Sequence, residues 1–351
     1  MKKRLIRFIV VFLSVTGIVP SWAADYADGR MRLSLNESSG RFSLYYMANT
    51  VTKWYVPLFS DKDTRTSSLA VQVNNQIYRM GESPTFTTRL GNDPNTPSFV
   101  FDSPGLVVVQ EFSFITVAGE DQANGVCMTI RLENRGTRTV NAGVRFILDT
   151  SLGEGNSNAH FVTDRRSINT ETIADSQWND KHWISKNDQY GLMGSINTGY
   201  STQAKAVHFA NWKLLNDAPW ELQYDRRNFN NPSAINDSAV SYIFYIDDIP
   251  PRQSRSVVIL LAAANSSGFD RVNRNDEAVP PGNSETTMQS PAASRPLSPA
   301  LETAMRGDLA ILRDLYAQLD EYITSGTAVS EDELLKMELL INSIKARYGL
   351  W

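Results

Sequence analysis

The chain has 351 residues, 42% of them hydrophobic and 21% charged, with one cysteine and a formal net charge of −4 at pH 7. A mildly acidic balance argues against nucleic acid and anionic lipid as partners, because both reward clustered Lys and Arg. A single cysteine excludes an internal disulfide, so stability has to come from burial, for which a chain of this length suffices.

Residues 1 to 23 predict a secretory signal peptide. Lys2, Lys3, Arg4 and Arg7 form a basic head, residues 8 to 19 are an apolar stretch, and Ser21-Trp22-Ala23 offers small residues at both positions that signal peptidase reads. A stretch of that length makes ~18 Å of helix against a hydrocarbon core of ~30 Å, so cleavage after Ala23 is expected rather than retention as an anchor. Cleavage removes four basic residues and no acidic one, which takes the net charge from −4 to −8. The longest later apolar run, residues 257 to 264, has eight residues. A periplasmic or secreted protein with no integral anchor is expected.

From 24 to 269 the chain alternates apolar and polar residues with period two, broken by turn residues. Met31, Leu33 and Leu35, then "NESSG", then Phe42, Leu44 and Tyr46 predict a hairpin. "LAVQVNNQIY" predicts another, with Asn74-Asn75 taking the positive φ of a tight turn. "VCMTIRLENRGTRTVNAGVRFIL" predicts a third, turning at Asn134-Arg135-Gly136, with Met128, Ile130 and Leu132 opposite Val144, Phe146 and Leu148 at the centre of the core. Cys127 alternates with apolar neighbours and reads as a small buried hydrophobe. "KAVHFANWKLL" reads as a strand with alternate residues buried. Many strands and short turns give an all-β fold, a large antiparallel β-sandwich.

Residues 270 to 298 hold four prolines and almost no large apolar side chain, the composition of a disordered linker. Residues 299 to 351 predict an αα-hairpin. Leu312 and Leu319 lie on the first apolar stripe, and Leu334, Ile341 and Ile344 on the second, which ends in Trp351. Ser330 and Glu333 form a capping box. Two amphipathic helices alone make a marginal core, so those residues are read as an interaction surface for self-association or for an envelope protein, with docking on the chain's own β domain as the alternative.

The stretch "LDTSLGEGNSNAHF" carries the local candidate site. Asp149, Glu154, Asn156 and Asn158 cluster oxygen donors on a Gly-containing loop, the composition of a Ca²⁺ site, although the spacing does not match an EF-hand; an ordinary strand-end loop is the alternative. The three histidines, His160, His182 and His208, show no metal-binding spacing and read as surface residues. His160 and His182 with Asp149, Glu154 or Glu171 are the alternative, an acid and base for sugar chemistry. Trp178, Trp183, Trp212 and Trp220 fall among Asn and Asp residues, as in sugar-binding surfaces, with core packing as the competing reading. No catalytic or metal-ligating residue and no cofactor is assigned, and no G-x-S-x-G, P-loop or dinucleotide motif is present.

The run "RLENRGTRTVNAGVRFILDTSLGEGNSNAHF" resembles a segment of uncharacterised exported bacterial β-sandwich proteins, in which a hairpin leads into an R-x-x-L-D-T-x-L-G-x-N box. The layout is also similar to the large sandwiches of the galactose-mutarotase-like group, which implies carbohydrate binding or processing. Signal peptide, β domain, tether and helical hairpin together resemble exported accessory proteins of the diderm envelope, including those of periplasmic flagella. The expected function is a non-enzymatic binding or scaffold protein, its sandwich recognising a protein or glycan and its hairpin mediating assembly. The alternative is a carbohydrate-binding or carbohydrate-active protein working through the 149–160 loop, with ligand-binding residues Asp149, Glu154, Asn156, His160, Trp178 and Trp183.

Overall fold

A computed structural model describes residues 23–59, 66–93, 95–117, 120–155, 160–222, 229 and 237–274. The expected signal segment, Asn156, Asn158, most of the tether, and the hairpin with Leu312, Leu319, Leu334, Ile341, Ile344 and Trp351 lie outside these residues. No helix among the described residues is long and apolar enough to cross a membrane.

The fold is all-β, in three antiparallel sheets. The first is a meander of β1 (Ala23–Asp28), β2 (Met31–Asn36), β3 (Arg41–Asn49) and β4 (Trp54–Pro57). Leu33 pairs with Leu44 and Leu35 with Phe42, so the period-two pattern buries one face as expected.

The second sheet has six strands. Its spatial order is β14 (Thr172–Asp175), β17 (Ala206–Asn211), β18 (Ser238–Ile249), β11 (Val140–Asp149), β5 (Ser68–Val73) and β6 (Gln76–Arg79). The predicted β5–β6 turn is present, with Asn74 and Asn75 at φ of 48° and 69°. Asn tolerates this left-handed region better than other side chains.

The third sheet has ten strands. Along its path lie β13 (Ser167–Ile168), β12 (Phe161–Thr163), β15 (His182–Lys186), β16 (Gly191–Ser195), β19 (Ser254–Ala263), β10 (Gly125–Asn134), β9 (Leu106–Val117), β8 (Ser98–Asp102) and β7 (Thr87–Leu90). β20 (Val272–Arg274) pairs with the end of β9.

One expected hairpin is absent. β10 pairs with β9 and β19, whereas β11 pairs with β5 and β18, so residues 135 to 139 carry the chain from one sheet to the other. Met128, Ile130 and Leu132 are nevertheless fully buried, as are Val144 and Leu148, with Phe146 at 1% exposure. Alternation reports which face of a strand is buried, not which strand lies beside it.

The core closes through aromatic side chains drawn from all three sheets. The Phe42 ring of β3 lies 4.7 Å from Phe112 of β9 and 5.9 Å from Phe146 of β11. Farther along, Phe161 meets Trp183 edge-on at 5.8 Å and Phe209 at 5.2 Å. Trp183 is fully buried, and its Nε1 donates to the Tyr242 hydroxyl at 2.6 Å, which in turn donates to the Ser195 carbonyl at 2.9 Å. Opposite it on β16 stands Gly194, where a Cβ would come within 2.4 Å of the indole ring. Cys127 is buried, as expected.

The run read as a single strand also divides. β17 stops at Asn211, whose side chain accepts from the Lys213 amide and caps the short helix α1 (Trp212–Asp217). Val207 to Asn211 are all buried, rather than alternately, because both faces of β17 are covered.

Candidate functional site

Five neighbouring strands of the six-stranded sheet bring polar residues to one end. Across the sheet these are Glu171 before β14, Asn211 ending β17, Asp237 before β18, Asp149 ending β11 and Ser67 before β5. The register fixes this, with Thr172 opposite Phe209, Asn211 opposite Ser238, Asp149 opposite Ala239, and Ile147 opposite Ser68. Strand ends are where a rigid sheet can present polar groups without leaving a ladder unpaired.

Three of the acids converge. Asp149, Glu154 and Asp237 each offer a carboxylate oxygen within 4.8 Å of the others; Asp149 is buried and the other two are partly so. The loop that returns Glu154 to Asp149 is held by serines. The Ser185 hydroxyl accepts from the Gly153 amide at 2.9 Å, and the Ser67 hydroxyl accepts from the Asp149 amide at 3.1 Å. The Ser238 amide donates to a Glu154 carboxylate oxygen at 2.9 Å. Gly153 is required by close approach, since a Cβ there would lie 2.0 Å from the His160 carbonyl oxygen.

Burial and the neighbouring carboxyls of Asp237 and Asp149 push Glu154 up to about 7, against the opposing hydrogen bond from Ser238. Burial, and then Asp149, push Asp237 up to about 6. Carboxyls this close titrate as a coupled set, because ionising one raises the cost of ionising the next. At neutral pH the site therefore offers a protonated carboxyl as a donor beside ionised ones as acceptors. Its oxygens also match the donor type of a hard cation such as Ca²⁺.

The surroundings of the cluster are braced by α1. The Trp212 indole donates to the Thr66 carbonyl at 2.8 Å, and the Trp212 amide donates to the Asp237 carbonyl at 3.1 Å. Two guanidinium groups take the helix's last carbonyls: Arg145 donates to Leu215 and Ala218, and Arg79 donates to Asn216. Burial and the neighbouring Arg79 lower Arg145 to about 10, and the carbonyls at the end of α1 oppose that lowering by favouring the cation.

Of the expected site residues, the structure brings Asp149 and Glu154 together, and adds Asp237. His160 touches the same loop through its backbone carbonyl at Gly153; its ring stacks on Phe229 at 4.3 Å, and the Phe229 carbonyl accepts from the Asn211 side chain, while the Asn211 backbone amide donates to Glu171. Trp183 is in the core and Trp178 is elsewhere, its ring 4.1 Å from the Arg166 guanidinium, which pairs with the buried Asp180 at 2.9 Å. Of the two readings of the tryptophans, packing is the one found and an exposed sugar-binding surface is not: Trp183 is fully buried, Trp220 is 6% exposed, and Trp178 and Trp212 are partly buried.

Two of the three histidines correct the surface reading. His182 and His208 are 7% and 3% exposed. Burial lowers His182, and burial together with Arg145 lowers His208 to about 4. His182 sits under Gly268, facing Asp164, Asp270, Lys181 and Asp180, and so does not join His160 and Glu171. Asp237 was not legible as a site residue; its only signal in the sequence is "INDSAV", an acid just before an apolar strand, as Asp149 ends the strand before its loop.

No protein-family profile matches the chain, and no curated protein matches it. Solved structures give a weak likeness of sheet architecture. A chain from Escherichia coli K12 named for aldose 1-epimerase is 10% identical with a TM-score of 0.43, over 69% of this chain and 99% of its own. A galactose mutarotase related enzyme from Lactobacillus acidophilus is 9% identical with a TM-score of 0.39, over 72% of this chain and 100% of its own. A chain from the human microbiome named for kojibiose phosphorylase is 6% identical with a TM-score of 0.34, over 70% of this chain and 30% of its own.

Proposed function

We propose that the protein recognises carbohydrate at the polar end of the six-stranded sheet, with Asp149, Glu154, Asp237 and His160 facing the ligand. The observation that carries this reading is the carboxyl cluster, with Glu154 at about 7 and Asp237 at about 6. Sugar hydroxyls each donate and accept, and they suit a site that holds protonated and ionised carboxyls together. The same pair has the values required of a proton donor and acceptor if the bound sugar is also turned over. A glycan array probed with the full chain tests this: signal on a related set of glycans, lost in Glu154→Gln and Asp237→Asn, supports it, and silence across the array overturns it.

A second reading rests on the same geometry, in which the three oxygens hold Ca²⁺. A thermal midpoint raised by millimolar Ca²⁺ and insensitive to it in Asp149→Asn supports a cation site; no shift removes it. The export signal and the 299–351 hairpin complete the proposal, an envelope or secreted protein whose hairpin mediates assembly. Mass spectrometry of the exported chain should find Ala24 at its N-terminus.

A further inference from the structure

The connection from β10 to β11 borders a cleft of about 490 Å³, within the ~300–1,000 Å³ range of small-molecule sites. It lies at the end of the six-stranded sheet away from Asp149, beside the β5–β6 turn and the start of β11, and it shares no residue with the carboxyl cluster. Val73, Leu106 and Val140 supply apolar surface, and Tyr78 and Phe86 contribute rings in edge contact at 5.4 Å. Asn74, Thr85, Ser103, Thr137 and Thr139 supply amide and hydroxyl groups.

Among the described residues one charged side chain lines the cleft, Arg138, and no carboxylate does. Among the described residues Arg138 makes no ion pair. The connection that carries it is firmly held. The fully buried Asn134 side chain donates to the Arg138 and Ile249 carbonyls, each at 2.8 Å, and accepts from the Gly136 amide at 2.9 Å. The Gly105 carbonyl takes the Arg135 amide at 3.0 Å. Arg138 is thus presented by a preorganised loop, which lowers the ordering cost of binding.

Apolar and aromatic surface accepts the C–H face of a pyranose, and a surrounding set of hydroxyls and amides bonds its hydroxyls. A lone guanidinium without a protein counter-charge selects an anionic group, above all a planar carboxylate. We propose that this cleft binds an acidic sugar, a pyranose carrying a carboxylate. The proposal goes beyond the reading of the carboxyl cluster, which would repel the same ligand.

Calorimetric titration of the full chain with D-glucuronate, D-glucose and benzoate tests it. Glucuronate should bind at least about tenfold more tightly than glucose, the scale of one hydrogen-bonded charge. Arg138→Gln should reduce glucuronate to the glucose level, and Tyr78→Leu should weaken both sugars with an unchanged thermal midpoint. Absence of glucuronate binding, equal binding by Arg138→Gln, or tighter binding of benzoate than of glucuronate would overturn the proposal. Loss in Glu154→Gln with Arg138→Gln unaffected would also overturn it, by moving the sugar to the carboxyl cluster. A silent glycan array with glucuronate binding retained would remove the earlier reading and leave this one standing.

Discussion

Glu154 holds a proton near neutrality because it is partly buried and shares its surroundings with two more carboxyls. Its folded value, about 7, lies above the ordinary 4.5, so the folded chain binds a proton that the unfolded chain has released. The stability it contributes is present below the unfolded value and is lost as pH rises through the folded one. His208 has the opposite sign. It is buried neutral, at about 4 against an ordinary 6.5, so its contribution is present above the ordinary value and lost as pH falls toward the lowered one. Thermal melts across pH 4 to 8 should therefore show two separable effects: Glu154→Gln removes a loss of stability on the alkaline side, and His208→Gln removes one on the acid side. Superimposable profiles for all three proteins would contradict both assignments. Trp183 belongs to the core, so Trp183→Ala should cost about 3–5 kcal/mol in denaturant unfolding. A variant that kept full stability would show that the indole is not packed between the sheets.

At the scale of the element, the 135–139 connection decides how two sheets become one sandwich. Asn134 is the residue that fixes it, with three hydrogen bonds from one fully buried side chain. Asn134→Ala leaves two carbonyls and an amide without that partner and should lower stability by about 2–3 kcal/mol while leaving the far-ultraviolet β signal intact. A neutral effect in denaturant melts would mean that water replaces the amide at no cost. This element also shows where sequence reasoning fails. "LENRGTRTV" has the composition of a tight turn, and the strands on either side are apolar on matching faces. Nothing local reports that β19 and β9 compete successfully for β10, or that β18 and β5 do so for β11. The β5–β6 turn was legible because its cause is local: two Asn residues that accept positive φ.

For the whole molecule, the all-β class, its buried faces and the Asp149–Glu154 loop could be read from the chain, since alternation and loop composition are short-range properties. Asp237 joins that loop from more than eighty residues away through strand pairing, which no spacing rule encodes. Trp183 and His182 misled because burial of a large aromatic or a histidine depends on which strand lies across from it, here Gly194 and the Gly268 turn. The hairpin expected over 299–351 lies outside the described residues, and its assembly role is a proposal. Deleting it should leave a folded β domain with an altered size-exclusion mass, and an unchanged mass and unchanged pull-downs would remove its assembly role.

The central claim is that Asp149, Glu154 and Asp237 form a working site at one end of the six-stranded sheet. Carbon-13 titration of the Glu154 and Asp237 carboxyls, without and with a glycan selected on the array, tests it most directly. The account predicts midpoints at about 7 and about 6 that move when the glycan binds. Midpoints in the ordinary carboxylate range, indifferent to the glycan, would contradict it.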